Sequence, residues 1–228
     1  MTDGRARGRE KTYLQRMPSS QSEWDAKHRL AADDSTAEPA GILCELLPLL
    51  PPGAALDLAC DTGRNALFLA EHGRHVTAVD WSGAALEILE ARARTKNLST
   101  RRIRGLPDVK RSAHAGIDLV QADLERMELP EGRFDLILNI RYLQRSLFPQ
   151  IGRALRANGM LLFETYTQAQ LDFCGGPKNP AYLLKAGELR EAFPELQVLF
   201  YRELHAGEGI ASLAARKPGG KGRGQNGH

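Results

Sequence analysis

The sequence has few cysteines, and their arrangement suits neither disulfide pairing nor a metal site. The three cysteines, Cys44, Cys60 and Cys174, are odd in number and far apart, and the six histidines show no metal-ligand spacing. Zinc sites and disulfide frameworks both need cysteines or histidines at characteristic spacings. Their absence argues against both kinds of site and favours a reducing, cytoplasmic location.

Long hydrophobic runs are also lacking. The most apolar stretch, residues 42–59, is interrupted by Glu45 and by three prolines, whereas a membrane-spanning helix needs roughly 20 consecutive apolar residues. Residues 1–11 contain arginines but also acids and no apolar face, which is not typical of a targeting segment. We therefore predict neither a membrane span nor a secretory segment.

Positive charge is scarce in the central part of the chain. The formal net charge is +3, but residues 1–11 and 216–228 together hold eight of the 31 basic residues and only two of the 28 acidic ones. The region between them is slightly acidic, which does not favour a nucleic-acid-binding surface there. Contact with nucleic acid through the basic tails is an alternative, which salt-dependent RNA binding lost on deletion of both tails would support.

After about residue 35, short apolar runs alternate with amphipathic helical stretches. This alternation is typical of a parallel sheet flanked by helices. Seven strands are predicted, at residues 54–59, 75–80, 117–123, 133–140, 160–166, 196–204 and 209–217. The predicted fold class is α/β: a doubly wound, mostly parallel seven-stranded sheet with helices on both faces and a terminal antiparallel hairpin.

The predicted helices lie between these strands. They occupy residues 37–50, 65–73, a stretch that begins after Ser82, residues 147–159 and residues 184–193. Gly73 is expected to end the second of them and Ser82 to cap the third. Residues 97–116 are polar and basic, and we expect a long loop there.

The loop after the first strand lacks the glycines of a dinucleotide-binding fingerprint. In a doubly wound sheet the ligand lies at the carboxyl ends of the strands, beside the first strand, where a dinucleotide would need the pattern G-x-G-x-x-G. Residues 59–64 contain only Gly63, and Asp61 would repel a pyrophosphate at close range. A bound dinucleotide is therefore not favoured.

Several stretches occur together in a fixed order and spacing. They are ALDLACDTGRNALFLA, VTAVDWS, LVQADLE, FDLILN and LFPQIGRALRANGMLLFETY, with SEWDAKHR upstream. The set resembles class I S-adenosylmethionine-dependent methyltransferases, and in detail the tellurite-resistance and thiopurine-type branch. The resemblance implies a Rossmann-like methyltransferase fold with S-adenosylmethionine as cofactor. It also implies a methyltransferase domain at residues 23–217, between a flexible segment at 1–22 and a flexible tail, rich in Gly, Lys and Arg, at 218–228.

The resemblance implies a role for each matching residue. Asp80 would accept hydrogen bonds from both ribose hydroxyls, and Trp81 would offer a flat face to the adenine. Asp123 would accept from the exocyclic amine, with the Leu124 amide facing a ring nitrogen, and Gly63 would let the backbone approach the methionine part. The other expected cofactor-binding residues are Asp57, Ala59, Cys60, Asp61, Asn65 and Asn139.

Each of the main assignments also has a structural alternative. Asp80 and Asp123 could simply cap helices, Trp81 could lie at the edge of the core, and Gly63 could serve only a turn. The sequence leaves these alternatives open for each residue taken alone.

Asp61 departs from the resembled family, which has glycine at this position. If the position needs a positive φ, Asp is one of the less costly replacements. The methionine end of the cofactor carries an ammonium, a carboxylate and a sulfonium, so a nearby carboxylate attracts two groups and repels one. We expect weakened or re-posed cofactor binding, to be tested by the affinity of an Asp61→Gly variant. A degraded relative that binds a partner or senses cofactor is the alternative.

Candidates for the acceptor site follow the fourth and fifth strands. Arg141 and Tyr142 are the predicted catalytic residues, since an arginine can hold an anionic acceptor and a tyrosine can orient the acceptor or wall the methyl group. A solvated loop arginine and a packed tyrosine are the alternatives. Among the neighbouring candidates, Arg145 is expected to lie on a helix surface or pair with an acid, Glu164 to hold a neighbouring loop, and Tyr166 is left unassigned.

Two absences narrow the class of acceptor. The stretch after the fourth strand is NIRY, not the Asn/Asp-Pro-Pro-aromatic pattern common in enzymes that methylate exocyclic or amide nitrogens. It also has no cysteine for cytosine C5 chemistry. We expect a small-molecule acceptor, such as a thiol, a chalcogen oxyanion or another small nucleophile, and leave the oligomeric state open.

Overall fold

The computed structural model describes residue 18 and residues 20–30, 38–107 and 115–219. One eight-stranded sheet forms its centre, with strand order β3-β4-β2-β1-β5-β6-β8-β7. The strands are β1 (Ala54–Leu58), β2 (His75–Asp80), β3 (Thr100–Ile103), β4 (Gly116–Gln121), β5 (Phe134–Ile140), β6 (Leu155–Tyr166), β7 (Gln197–His205) and β8 (Gly209–Arg216). The order reverses between β1 and β5, where doubly wound sheets bind their ligands.

Helices accompany the sheet throughout the described part of the chain. The α-helices are α1 (Gln21–Leu30), α2 (Gly41–Leu46), α3 (Arg64–Glu71), α4 (Gly83–Thr95), α5 (Phe148–Ala154) and α6 (Glu188–Glu191). Short 3-10 helices lie at Leu47–Leu49, Arg145–Leu147, Gln168–Asp172 and Pro180–Tyr182.

The pairings from β3 through β6 are parallel, and β8 runs antiparallel to both β6 and β7. Parallel strands are covered on both faces, which explains why every residue of β1 is buried. The side chains of the edge strand β7 are exposed or half-buried.

Successive residues of a strand face opposite sides of the sheet, and they build two hydrophobic cores here. Leu56 and Leu58 of β1 belong to the core that includes residues of α5 and α6. Ala55 belongs to the other core, with Leu43 of α2, Leu69 of α3 and residues of α4. Helices therefore cover both faces of the sheet.

The predicted fold class is confirmed, including the terminal antiparallel hairpin of β7 and β8. The sheet has eight strands rather than seven because β3 lies within residues 97–116, where the sequence predicts a loop. β3 carries two arginines and no fully buried residue, so its sequence lacks the apolar signal of a strand. It pairs with β4, where the Arg101 guanidinium donates to both carboxylate oxygens of Asp118 at 3.0 Å.

Three helices are shorter than the sequence predicts. At residues 37–50, α2 gives way to the 3-10 helix Leu47–Leu49, where Pro48 has no amide hydrogen to donate. α5 ends at Ala154 because Leu155 already pairs with β5, and α6 covers only four residues.

Both predicted helix-end residues have the expected roles. Ser82 caps α4, its Oγ accepting from the Ala85 amide at 3.1 Å, and Gly73 follows α3 with φ of 79°. In the described part of the chain, no helix has the length and apolarity to cross a membrane. The predicted terminal segments, 1–22 and 218–228, lie mostly outside the described residues, and the 23–217 boundaries stay predictions.

Candidate functional site

The predicted site residues lie mainly in the turns that follow β1, β2, β4 and β5. Because these strands are parallel, their carboxyl ends share one edge of the sheet. β1 is hydrogen-bonded to β2 on one side and to β5 on the other. The turns at residues 59–63, 81–82 and 141–144 are therefore brought together at the point where the strand order reverses.

The turn after β1 is held in an unusual backbone conformation. Ala59, Asp61 and Gly63 have φ values of 53°, 55° and 83°, all in the left-handed region that is costly for residues with a side chain. The Cys60 amide donates to the Val79 carbonyl at 2.9 Å, which ties the turn to β2. Position 61 does need a positive φ, and Asp is among the residues that tolerate one.

Gly63 begins α3 where no other residue fits well. An added Cβ would lie 2.0 Å from Cδ1 of Leu89, which is fully buried in α4. We expect Gly63→Ala to lower the free energy of unfolding by about 2–4 kcal/mol, from left-handed strain and overpacking together. Gly73→Ala is the matched control, because Gly73 also has a positive φ (79°) but nothing within 4 Å of its added Cβ. Denaturant unfolding measures both, and equal losses would contradict the clash.

Asp57, in β1, is a buried acid with one unsatisfied oxygen. The residue is 1% exposed, and its Oδ2 atom has no hydrogen-bond partner among the described residues. Burial raises the pKa of Asp57 to about 7, against the opposing charge of Arg64, and the nearby Asp80 carboxylate also raises it. Such an oxygen suits a ligand that brings a cation or a hydrogen-bond donor.

Asp80 ends β2 and supports the turn after β1. Its Oδ2 accepts from the Asp61 amide and its Oδ1 from the Ser82 amide, each at 2.8 Å. Burial raises the pKa of Asp80 although these two hydrogen bonds oppose the shift. A carboxylate oxygen can accept two hydrogen bonds, so each oxygen keeps an acceptor site beyond its backbone partner.

The turn after β4 holds Asp123 in a local hydrogen bond. Its Oδ1 accepts from the Glu125 amide at 2.9 Å, and its Oδ2 lies 3.5 Å from Nε of Arg126. Leu124 is buried and Trp81 is half-buried. Asp123 therefore holds a turn and does not cap a helix, since the described chain runs from β4 to β5 without one. The cofactor roles of all three residues stay predictions.

Three other predicted residues have structural contacts. The Asn65 carboxamide oxygen accepts from the Ala40 amide at 2.9 Å, and Asn139 donates to the Tyr142 carbonyl at 2.6 Å, which shapes the turn after β5. Burial raises the pKa of the Cys60 thiol well above its ordinary value, so this cysteine stays a neutral thiol.

Arg141 does not stand free in its turn. With φ of 62°, it places Nη2 2.8 Å from Oε1 of Glu208 and 3.6 Å from Oε1 of Glu164. The guanidinium carbon lies 4.6 Å from the ring centre of Tyr166. The buried Glu164 also accepts from the Ser212 hydroxyl at 2.7 Å. The charge of Arg141 is therefore balanced by two carboxylates of the protein itself.

Tyr142 has different surroundings from its neighbour Arg141. It is half-buried, and its pKa is raised by burial and by the carboxylates of Glu125, Asp123 and Asp80. These carboxylates are close enough to influence the phenol, so Tyr142 is on the same side as the acids after β2 and β4. The predicted pairing of Arg145 with an acid is confirmed, since its guanidinium binds the Glu188 carboxylate.

Sequence reasoning did not assign His28 and Asp25 of α1. His28 lies 3.1 Å from Asp61, between Nδ1 and Oδ1. Asp25 Oδ1 accepts from the Ser82 hydroxyl at 2.6 Å and from the Ala84 amide at 3.1 Å. The segment SEWDAKHR, which contains both residues, is part of the family resemblance and so indicated that this region matters. Its local sequence does not show which loop the two side chains contact.

Comparison with known proteins shows what part of this chain is similar to methyltransferases. Residues 56–163, from β1 into β6, match the model of a family described as "Methyltransferase domain". A malonyl-[acyl-carrier protein] O-methyltransferase of Herminiimonas arsenicoxydans is 31% identical over 137 residues, which cover 58% of this chain and 44% of that protein. The chain spans about half the length of the curated relatives it matches.

Solved structures share the fold at low sequence identity. TehB from Haemophilus influenzae is 20% identical, with a TM-score of 0.63 over 82% of this chain and 65% of that chain. An S-adenosylmethionine-dependent methyltransferase from Mesorhizobium loti is 19% identical, with a TM-score of 0.59 over 78% of this chain and 98% of that chain. These likenesses show that this chain has the Rossmann-like fold of these proteins.

Proposed function

We propose that this protein transfers a methyl group from S-adenosylmethionine to a small-molecule acceptor, because residues 56–163 match a family described as "Methyltransferase domain" and the fold is shared with an S-adenosylmethionine-dependent methyltransferase. The observation that carries the proposal is the row of carboxylates at the shared strand edge. Asp57, Asp80 and Asp123 come from β1, from the end of β2 and from the turn after β4. Fold alone does not determine a reaction, so the proposal rests on these side chains.

The carboxylates and the aromatic ring at this edge fit S-adenosylmethionine. The buried and unpartnered Oδ2 of Asp57 would accept a hydrogen bond from the ammonium of the cofactor. The Asp80 oxygens each accept one backbone amide and retain a lone pair for a ribose hydroxyl. The half-buried Trp81 follows directly and is available to stack on the adenine.

The bound cofactor would supply an electrophilic methyl group on a sulfonium sulfur. The protein then has to orient the acceptor and exclude water, because methyl transfer depends mainly on proximity and alignment. Asn139 would hold the turn in which Tyr142 stands. With its pKa raised, Tyr142 stays a neutral phenol that can donate a hydrogen bond to the acceptor.

The surroundings of Arg141 bear on the class of acceptor. Its contacts with Glu208 and Glu164 leave the cluster with no excess positive charge. Nη1 of Arg141 is a buried donor without a partner among the described residues, but the two carboxylates beside it repel an oxyanion. A neutral nucleophile such as a thiol or an amine is therefore a better match than a chalcogen oxyanion. Arg141 then acts by fixing the turn that carries Tyr142.

Calorimetry and a methyl-transfer assay test the proposal together. We expect S-adenosylmethionine and S-adenosylhomocysteine each to bind at one site of the purified protein. Methyl groups labelled on the cofactor should pass to members of a thiol and amine panel at least about tenfold faster than to selenium or tellurium oxyanions. Absence of binding by both cofactor forms would contradict the proposal, and faster transfer to the oxyanions would contradict the acceptor class.

A further inference from the structure

The contact between His28 and Asp61 occurs where the resembled family has glycine. The imidazole of His28 is 7% exposed, whereas the Asp61 side chain is 65% exposed. An ionised carboxylate only accepts hydrogen bonds, so Nδ1 of His28 carries the proton in this 3.1 Å contact. Burying a polar imidazole costs free energy unless it is hydrogen-bonded, and here the Asp61 carboxylate supplies the partner.

α1 is anchored to the turns after two neighbouring strands, β1 and β2. His28 holds the turn after β1, while Asp25 binds Ser82 and the Ala84 amide at the start of α4. Trp24 stacks on the His28 ring with centroids 5.7 Å apart, which fixes the orientation of the imidazole. α1 therefore spans the turns that follow β1 and β2.

Asp61 connects α1 to the acid at the end of β2. Its side chain faces His28, and its backbone amide donates to Oδ2 of Asp80 at 2.8 Å. Partial desolvation by the surrounding loop opposes ionisation of Asp61, but the hydrogen bond and charge of His28 outweigh it. The Thr62 amide and Lys27 contribute less, and the pKa of Asp61 lies below its ordinary value. Asp61 is thus an anion that is paired within the protein.

We propose that His28 is a positioning residue of the cofactor site: it pairs with the Asp61 carboxylate, holds the left-handed turn, and so allows the amino-acid end of the cofactor to bind there. This inference rests on the proposed function. Without His28, the Asp61 carboxylate keeps, among the described residues, only the hydrogen bond from the Thr62 amide, at 2.6 Å, and its charge repels the cofactor carboxylate. With glycine at position 61, the turn keeps its conformation without a charge, and His28 is no longer required.

The test compares two ligands on four proteins. S-adenosylhomocysteine has the amino-acid end, and 5′-methylthioadenosine has the nucleoside without it. Calorimetry should show that His28→Ala lowers the affinity for S-adenosylhomocysteine about tenfold or more, but the affinity for 5′-methylthioadenosine by less than about twofold. His28→Asn, which keeps an N–H donor at the δ position, should lose only about threefold. Asp61→Gly added to His28→Ala should bring affinity for S-adenosylhomocysteine within about threefold of the unaltered protein.

The outcomes separate this inference from the function on which it rests. If the unaltered protein binds neither ligand, the proposed function and the inference fail together. Suppose that the unaltered protein binds both ligands. The inference alone is overturned if His28→Ala leaves the affinity for S-adenosylhomocysteine unchanged. It is also overturned if His28→Ala lowers the affinity for both ligands equally and Asp61→Gly does not restore it. Equal weakening would mean that His28 merely fastens α1 to the domain.

Discussion

Replacement of Asp80 by asparagine is expected to weaken binding of S-adenosylmethionine about 100-fold, roughly 3 kcal/mol. The carboxylate accepts from two backbone amides, those of Asp61 and Ser82, and we propose that it also accepts from the ribose. Asparagine offers one acceptor oxygen and one NH₂ group. One backbone amide therefore loses its acceptor, and the charge that strengthens the ribose contacts disappears.

The control for this variant is Asp118→Asn, on the neighbouring strand β4. Asp118 is also a buried carboxylate with two side-chain partners, His75 and Arg101, but it lies in β4 rather than in the turns of the site. Its substitution should lower stability while changing cofactor affinity by less than about threefold. Titration calorimetry at one pH measures both variants, and an Asp80→Asn protein with nearly unchanged affinity would refute the role of Asp80.

The second large effect concerns Asp57 and the pH dependence of stability. Its pKa is about 7 in the folded protein, from an ordinary value of 3.8. Between these values the folded protein keeps a proton that the unfolded chain has released, so stability falls as the pH rises through this window. A difference of about three pH units corresponds to roughly 4 kcal/mol, and we expect about 2–4 kcal/mol.

Asp57→Asn removes this titration, because an amide does not ionise. Relative to the unaltered protein, the ligand-free variant should gain about 2–4 kcal/mol in unfolding free energy between pH 4 and pH 8, with the gain complete above about pH 7. Denaturant unfolding across the pH range measures it, and the effects of titrating groups that do not interact with Asp57 cancel in the difference. A difference in unfolding free energy that stays constant across the pH range would mean that the pKa of Asp57 is not raised in the folded protein.

The same substitution should also weaken cofactor binding. If an ammonium pairs with Asp57, binding favours the ionised carboxylate, so the unaltered protein should release a proton on binding near pH 7 and bind more tightly as the pH rises. Calorimetry in two buffers of different ionisation enthalpy detects that proton. Asp57→Asn should release none and bind more weakly, and an undiminished proton release in the variant would contradict the pairing.

The main strands could be predicted because their signal is local. Runs such as AALDL in β1 are apolar at every position, as parallel strands covered on both faces require. β3 could not be predicted because it lacks this local apolar signal. An edge strand with two arginines resembles a loop in its composition. The short length of α6 followed from packing around it, not from its own propensity.

The candidate site was predictable to the extent that it follows from strand direction. Asp80, at the end of β2, and Asp123, just after β4, had to share an edge once the strands were parallel. Its electrostatics were not predictable in this way. The pKa of Asp57 depends on complete burial, and the balance of charge at Arg141 depends on Glu208, which is 67 residues away.

The sequence by itself determined the α/β class, the acids at the strand ends and the departure from glycine at Asp61, because each of these is a matter of residue type and local order. Only the tertiary structure decided what Asp61 does. Its partner His28 comes from α1, a separate element whose placement depends on packing against α4. A carboxylate that the sequence alone presents as an obstacle to the cofactor is a paired group in the fold, because electrostatic energies depend on distance and burial rather than on position in the chain.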